Sequence, residues 1–292
     1  MSDKISLLWW NTSLSSVAPQ ATEPSSQKRD FVSEVIKNLI KTHEVIVLCE
    51  ISEKDIEHFK SKLDLNVCGY TIVSGTQPTH KSRFDTCLIY KNNLLVSFEN
   101  PDIITSLKAG RTFKIAQKYS LVVNQKTIQL YACHWPSRLR DNDSDREFIA
   151  NDLRRSIESS VSTDLVIIAG DFNCDPFSEE ILVGLLASPE RELVKKKKAH
   201  LYNPCWKFLS AQQHQPKSKF MHHGTHYFTG GTARKWHTLD QILFSSSFLS
   251  DGAWLLDEES ITILGWSEIL AGAKNVHKFD HLPVSATIVR KE

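Results

Sequence analysis

The sequence predicts an α/β protein in which helices cover two sheets, and two patterns support this class. Short apolar runs of strand-forming residues recur along the chain, and several end at an acidic, amide or imidazole side chain. Amphipathic segments lie between them, and 28–42 is the clearest because its apolar residues follow helical spacing. The hydrophobic content of 41% is enough for a large core.

The predicted elements follow one another along the whole chain. Strands are predicted at 5–10, 45–49, 70–74, 86–90, 94–98, 111–115, 119–123, 127–133, 166–169, 239–244 and 284–289. Helices are predicted at 28–42, 52–63, 144–161 and 179–186. Ser52 is suited to cap the second helix, because its hydroxyl can accept a free backbone N–H of the first turn. The Ser-, Pro- and Gln-rich segment 12–26 is expected to be a loop.

The most informative stretch begins with the strand at 166–169. After a glycine, Asp171, Asn173 and Asp175 follow at alternate positions. A buried strand that ends in polar groups delivers them to the rim of a sheet, where carboxylate and amide oxygens suit a hard cation such as Mg2+. The alternative is a strand closed by an Asx turn, because Asp, Asn and Pro also favour turns.

Five other strand ends carry side chains of the same chemical kinds. They are Asn11, Glu50 and His134 at the ends of three strands, Asp240 near the start of another, and Asp280 with His281 before the last strand. Any one of these could be a satisfied turn residue. Six strand ends with these chemistries together predict one convergent site.

The ordered motifs resemble those of a known group of enzymes. They are Trp-Asn at 10–11, Cys-Glu at 49–50, His-Trp-Pro-Ser at 134–137, Gly-Asp-Phe-Asn at 170–173, Leu-Asp-Gln-Ile at 239–242 and Asp-His-Leu-Pro at 280–283. This set looks like the endonuclease/exonuclease/phosphatase superfamily, the metal-dependent phosphodiesterases related to pancreatic deoxyribonuclease and the abasic-site endonucleases. The resemblance implies a four-layer α/β sandwich, with two mainly antiparallel β-sheets packed face to face and flanked by helices. It also implies a single domain over residues 1–292.

The resemblance implies a metal-binding group and a water-activating group. Glu50 is the expected principal ligand of Mg2+, with Mn2+ as a substitute, and Asn11 and Asp280 complete the metal environment directly or through water. Asp171 is expected to orient or deprotonate the attacking water. Asn173 is expected to contact the water or the phosphate.

The resemblance also implies two histidines at the scissile phosphate. His281 is expected to contact it, with Asp240 holding its imidazole and raising the imidazole pKa. His134 lies where family members place a second histidine or a tyrosine, and it is also expected to contact the phosphate. Asp85 lies near the position of the acid that the deoxyribonuclease branch pairs with that histidine; a surface ion pair is the alternative.

Two positions depart from the family pattern. Many members have Asp or Gln two residues after the first Asn, where this chain has Ser13. The basic residue often found before the Asp of the fifth motif is replaced by Thr238.

The segment 193–239 is strongly basic. It contains nine Lys or Arg residues, six His and no acid, and because the whole chain carries +1, the remainder carries −8. Such a segment between two catalytic motifs is typical of polyanion contact, although a solvated loop is the alternative. The expected substrate-binding residues are Ser137, Arg138, Trp236, Lys195, Lys196, Lys197 and Lys198. Trp206, Tyr227, Phe228 and Trp236 are candidates for stacking on bases or for anchoring the loop.

The histidines at 222, 223 and 226 invite a zinc interpretation. Their spacing matches no usual ligand pair, and no Cys pair or acidic third ligand lies nearby in the sequence. The segment 225–228 is instead expected to be a strand that lines the substrate cleft.

The composition indicates the cellular compartment that we expect for the protein. No apolar run approaches the ~20 residues of a membrane-spanning helix, and no signal peptide precedes the first strand. The six cysteines include no Cys-x-x-Cys pair, which favours a reduced setting over a disulfide scaffold. We therefore expect a cytoplasmic protein without a membrane span.

Three functions are compatible with this pattern. The first is a divalent-metal-dependent nuclease acting on DNA or RNA, which the basic segment and the aromatic residues favour. The second is a phosphatase or phosphodiesterase acting on a phosphorylated lipid, inositol or small nucleotide, because the same fold supports both. The third is a catalytically silent binding module, which the retention of Glu50, Asp171 and His281 argues against.

Overall fold

A computed structural model describes residues 3–16, 22–79, 82–96, 102–137, 143–209, 224–228, 230–250, 252–265 and 279–291. Its first sheet has six strands in the order β17-β18-β1-β2-β6-β3. Their bounds are β1 Lys4–Asn11, β2 Val45–Cys49, β3 Tyr70–Ser74, β6 Thr86–Lys91, β17 Trp254–Ile263 and β18 Val284–Arg290. Strands β1 and β2 pair in parallel, and the other neighbours are antiparallel.

The second sheet has eight strands in the order β12-β13-β16-β11-β10-β9-β7, and β8 also pairs with β9. Their bounds are β7 Leu95–Val96, β8 Asp102–Lys108, β9 Arg111–Val123, β10 Lys126–His134, β11 Leu165–Asp171, β12 Ala187–Ser188, β13 Leu201–Tyr202 and β16 Asp240–Ser245. Strands β10 and β11 are parallel, as are β12 and β13. Two hairpins stand apart: β4 Gln77–Thr79 with β5 Ser82–Phe84, and β14 His226–Tyr227 with β15 Trp236–His237.

In the described ranges, four α-helices accompany the sheets: α1 Ser26–Leu39, α2 Glu53–Lys62, α3 Asp143–Ile157 and α4 Arg191–Lys196. Ser52 caps α2 as predicted, because its side chain accepts from the N–H of Asp55 while the Asp55 carboxylate accepts from the N–H of Ser52. Short helical turns occur at Glu180–Gly184, Pro204–Leu209 and Ser246–Phe248. Among the described residues, we find no helix that is both long and apolar enough to cross a membrane.

The two sheets pack face to face and form the main core. Ile5 and Leu7 of β1 meet Leu130 of β10 and Ile167 of β11 across the interface. A second core lies on the outer face of the second sheet, where α3 packs against β9, β10 and β11. Helices α1 and α2 bury apolar side chains in the core that includes the first sheet. The predicted four-layer sandwich is therefore confirmed.

Several predicted elements differ in extent. The strands predicted at 111–115 and 119–123 are one continuous strand, β9, because the polar Gln117 between them is buried and bonded to the Gly75 carbonyl. The helix predicted at 179–186 is only a short turn. Strands β8 and β17 were not predicted. Strand β8 is largely exposed, and a register shift after Asp257 interrupts β17, so neither has a clear apolar period.

Strand pairing aligns the polar strand ends. Asn11 lies opposite Cys49 at the ends of the parallel pair β1 and β2. His134 lies opposite Asp171 at the ends of β10 and β11, and β16 begins with Asp240 opposite Asp171. A Cβ at Gly170 would lie 2.5 Å from the Cys133 carbonyl oxygen, so a glycine is required for this close approach of strands.

Candidate active site

The aligned strand ends of both sheets face each other at one edge of the sandwich. Three residues there hold non-glycine side chains in the left-handed region: Ser13 with φ 48°, Glu50 with φ 56° and Asn173 with φ 52°. This conformation is sterically unfavourable for most residues and persists only where surrounding contacts enforce it. Seven described non-glycine residues adopt it, and three of them lie at this edge.

His134 is held by a buried carboxylate. Its Nδ1 lies 2.8 Å from Oδ2 of Asp85, and Lys114 Nζ lies 3.3 Å from the other oxygen of that carboxylate. Burial alone would lower the pKa of His134, but the charge and hydrogen bond of Asp85 outweigh it and raise the pKa to about 9. Burial opposes the ionisation of Asp85, yet His134 and Lys114 hold its pKa below the ordinary value. The imidazole is therefore protonated at neutral pH, with Nε2 3.9 Å from Oε1 of Glu50.

His281 is held in the same way. Its Nδ1 lies 2.7 Å from Oδ2 of Asp240, whose other oxygen accepts from the indole N–H of Trp9 at 2.9 Å. Burial works against the charge of His281, but Asp240 and Asp171 raise its pKa well above the ordinary value. Its Nε2 lies 3.7 Å from Oδ2 of Asp171. The two imidazoles thus present their Nε2 atoms to one acidic centre.

Asp171 is buried and held by two donors. Asn11 Nδ2 donates to its Oδ2 at 3.0 Å, and the backbone N–H of Asn173 donates to its Oδ1 at 3.0 Å. The Asn11 amide therefore joins β1 of the first sheet to β11 of the second. Asn173 Nδ2 donates to the Trp135 carbonyl at 2.9 Å, which fixes the orientation of this side chain.

Glu50 and Asp280 supply carboxylates on the first-sheet side of the site. Burial raises the pKa of Glu50, with partial compensation from His134. Although burial opposes it, hydrogen bonds and the charge of His281 lower the pKa of the half-exposed Asp280, whose Oδ1 accepts from Ser13 Oγ at 2.5 Å. Glu50 and Asp280 interact electrostatically, and carboxylate oxygens are the ligands that a hard divalent cation prefers. The amide oxygen of Asn11 accepts from the Ser13 N–H at 3.0 Å, so in this structure its amide bonds to protein groups.

Two residues of the site were not assigned from the sequence. Lys28 of α1 donates to the Ser13 carbonyl, and its Nζ lies 5.0 Å from the centre of the Phe279 ring. Burial lowers the pKa of Lys28, while Asp280 and Glu50 counteract the shift. His226 of β14 lies beside His281, with ring centres 4.5 Å apart. The polar sequence around Lys28 gave no indication of a site residue. The segment that contains His226, 225–228, was expected only to line the cleft.

The structure separates the predicted substrate-binding residues. Trp236 lies on the hairpin beside the site, with its ring centre 5.1 Å from that of Tyr227, and Ser137 is exposed close after His134. Arg138, His222 and His223 lie outside the described residues.

The lysine run lies elsewhere. Lys195 and Lys198 line a cavity of about 600 Å³ together with Lys126 and Leu165, the first residues of β10 and β11. Because β10 is nine residues long, this cavity lies about 26 Å from His134 at the other end of the strand. Lys196 and Lys197 are exposed in the same run. The structure thus does not bring Lys195–Lys198 to the candidate site, and their contact with a polyanion stays a prediction.

Asp85→Asn should change how His134 titrates and how stability depends on pH. The pKa of His134 should fall to 6.5 or below, because burial then acts without the opposing charge. The wild-type pair stabilises the folded state fully below pH 6.5, and this contribution is lost as pH rises through about 9. The wild type should therefore lose about 3 kcal/mol of stability across that window that the variant does not lose.

Imidazole NMR titration and urea unfolding at both ends of the window measure these two effects. Asp30→Asn is the matched control, because Asp30 pairs with His58 on the surface at 3.1 Å. An unchanged His134 pKa in Asp85→Asn would show that this carboxylate does not control the imidazole.

Comparisons with known proteins identify the family of this chain and solved structures with a similar fold. The family model described as "Endonuclease/Exonuclease/phosphatase family" matches residues 18–257. No curated protein matches the sequence significantly. Among solved structures, the human Nocturnin catalytic domain with bound sulfate anion is 16% identical, covers 100% of this chain and 96% of its own, and has a TM-score of 0.63. D. rerio TDP2 complexed with single strand DNA product is 14% identical, with coverage of 98% and 99% and a TM-score of 0.64.

Truncated Caenorhabditis elegans TDP2 is 16% identical, with coverage of 98% of each chain and a TM-score of 0.58. At these identities the structural likeness establishes the fold, whereas the family model covers most of the sequence itself. The chain therefore belongs to the endonuclease/exonuclease/phosphatase family, whose members are hydrolases that act on phosphoric esters.

Proposed function

We propose that this protein is a divalent-metal-dependent nuclease that hydrolyses phosphodiester bonds of DNA or RNA by in-line attack of water. The observation that carries the proposal is a pair of carboxylate-held imidazoles that both face acidic groups of the site: Nε2 of His281 lies 3.7 Å from Asp171, and Nε2 of His134 lies 3.9 Å from Glu50. Phosphodiesters resist attack because they are anionic and have a poor leaving group. A site for their cleavage must therefore neutralise charge and align water.

The imidazoles neutralise the phosphate. The raised pKa of each keeps a positive charge and an N–H donor at Nε2, because Nδ1 is committed to Asp85 in one case and Asp240 in the other. Asp171 is the group that orients the attacking water or accepts its proton. Its carboxylate is fixed by donors from Asn11 and Asn173, so it is already oriented before substrate binds.

Glu50 and Asp280 would hold Mg2+, or Mn2+ in its place, and Asn11 would contribute through water. The bound ion supplies further positive charge for the phosphate and the leaving oxygen. Because Asn11 and Glu50 come from the first sheet and His134 and Asp171 from the second, both sheets are needed for one site. We therefore propose that residues 1–292 act as one catalytic domain.

Two observations support a nucleic acid substrate. The hairpin of β14 and β15 presents the neighbouring rings of Tyr227 and Trp236 close to His281, since His226 of the same hairpin bridges to His281. Aromatic rings beside a phosphate site are suited to stack on bases. In addition, the structurally similar D. rerio TDP2 was solved with a single strand DNA product.

Cleavage of end-labelled single- and double-stranded DNA and RNA tests this proposal. We expect cleavage with Mg2+ or Mn2+, none with EDTA, and at least about a 100-fold lower rate in Asp171→Asn, because the water loses its orienting carboxylate. His58→Asn is the control and should cleave like the wild type, because His58 of α2 pairs with Asp30 of α1 and belongs to no part of the candidate site. If no polymer is cleaved while a phosphorylated lipid, inositol or small nucleotide is hydrolysed, the nuclease proposal is wrong and the phosphatase alternative is correct.

Lys28→Met should tighten the binding of divalent cations. The ammonium group interacts with both Glu50 and Asp280, so it competes electrostatically with a metal ion for the same carboxylates. We expect Mn2+ to bind about threefold to tenfold more tightly in the variant, as measured by calorimetry without substrate. Lys54→Met is the matched control, because this lysine pairs with Glu23 on the surface. Equal or weaker Mn2+ affinity in Lys28→Met would exclude such competition.

A further inference from the structure

His226 brings a third imidazole to the catalytic edge, and no step of the proposed reaction uses it. Its ring centre lies 4.5 Å from that of His281, and its Nε2 lies 3.8 Å from Oδ2 of Asp280. Its Nδ1 is buried and has no hydrogen-bond partner within the described part of the chain. Such an unsatisfied ring in a cleft calls for a ligand.

We propose that His226, Asp280 and His281 form a binding site for a transition-metal ion such as Zn2+ or Co2+. One ligating atom from each residue lies within 4.8 Å of the other two. Bonds of about 2.0–2.2 Å in tetrahedral geometry place two ligand atoms about 3.3–3.6 Å apart, so the trio must close by up to about 1.5 Å. Two imidazoles with one carboxylate suit borderline ions such as Zn2+, whereas Mg2+ prefers oxygen ligands.

The backbone holds these three residues together before any ion binds. His226 and His281 form an antiparallel β-bridge, and the N–H of Tyr227 donates to the Asp280 carbonyl at 2.9 Å. The N–H of Leu282 donates to the Thr225 carbonyl at 2.7 Å. The relative positions of the two histidines are therefore set by the hairpin, so only small side-chain rotations are needed to bind an ion.

The surroundings of the trio match those of known metal sites. Asp240 accepts from Nδ1 of His281, and a carboxylate on the outer nitrogen is the usual way to orient a metal-binding imidazole. Oδ1 of Asp280 is taken by Ser13, which leaves Oδ2 on the side of His226. The carboxyl group of Asp280 is half-exposed, so water has access to complete the coordination of the ion.

The neighbouring trio of Asp171, Asp240 and His281 is a weaker candidate. Both oxygens of Asp240 are already bonded, one to Trp9 and one to His281. Both oxygens of Asp171 accept hydrogen bonds, from Asn11 and from the N–H of Asn173. An ion there would have to displace several of these bonds, whereas Nε2 of His226 makes only the 3.8 Å contact with Oδ2 of Asp280, itself a member of the trio.

The site has a consequence for the reaction, which rests on the proposed function. An ion bound at Nε2 of His281 replaces the proton on that nitrogen, which passes to water, and it occupies the atom that is proposed to contact the phosphate. It also takes Asp280, a proposed Mg2+ ligand. Zn2+ should therefore inhibit cleavage that Mg2+ supports, and inhibition should require His226.

Titration of the purified full chain with Co2+, followed by visible absorption without substrate, tests the site directly. The wild type should give the intense absorption of low-coordinate Co2+, and His226→Asn should bind Co2+ at least about tenfold more weakly, because loss of even an outer partner costs that much. His237→Asn is the matched control. His237 pairs with His226 in the same hairpin, but its ring centre lies 6.3 Å from that of His226. It should bind Co2+ like the wild type.

Two results would overturn the proposal: unchanged Co2+ affinity in His226→Asn, or an equal loss in both variants. Urea unfolding of both variants shows whether each is folded, and His226→Gln gives a second test if the asparagine variant is not. Because the Co2+ readout needs no substrate, it separates this site from the nuclease proposal. In a cleavage assay, Zn2+ should inhibit the wild type and His237→Asn but not His226→Asn.

Discussion

Two hydrogen bonds between buried carboxylates and imidazoles, Asp85 with His134 and Asp240 with His281, determine the properties of the site. Each carboxylate fixes which nitrogen of the ring faces the cleft and keeps the ring charged against the effect of burial. A buried charge without such a partner is unfavourable, so within each pair the carboxylate and the imidazole depend on each other to stay ionised. The proposed contacts of the two histidines with the phosphate use the Nε2 atoms, because Nδ1 of each ring is bonded to its carboxylate.

The architecture explains how four elements of distant sequence reach one edge. Parallel pairing places the ends of β1 and β2 together in one sheet and those of β10 and β11 together in the other. The face-to-face packing of the sheets then brings Asn11 within hydrogen-bond distance of Asp171. The left-handed backbone at Glu50 and Asn173 turns the chain sharply at these ends. A rigid core therefore positions polar groups that individually favour water.

Local sequence patterns predicted the sheets and the capped start of α2. They also predicted the strand ends that carry the site, because an apolar run and the residue that ends it are adjacent in sequence. The sequence predicts β9 as two strands because Gln117 interrupts the apolar pattern. Burial of Gln117 is stabilised by the hydrogen bond that its side chain donates to the Gly75 carbonyl. The hydrogen bonds of Asn11 were also not predictable: its amide bonds to Ser13 and Asp171, and this geometry exists only after the sheets pack.

Tertiary structure decided the positions of the charged residues. The run Lys195–Lys198 lies in sequence between two motifs of the candidate site, but the chain returns it to the starts of β10 and β11, far from the strand ends. Conversely, Lys28 reaches the carboxylates from a polar helix start, and His226 reaches His281 through a hairpin bridge. Lys28 has no local sequence signal, and the signal at 225–228 indicated only a strand that lines the cleft. Both contacts depend on a partner that is distant in sequence.

The most direct test of the account is a crystal structure of Asp171→Asn with Mn2+ and a short single-stranded oligonucleotide. The account predicts anomalous Mn2+ density at Glu50 and Asp280, and a phosphate within hydrogen-bond distance of Nε2 of both His134 and His281. A phosphate bound elsewhere, with neither imidazole in contact, would contradict the claim that the paired histidines form the phosphate site.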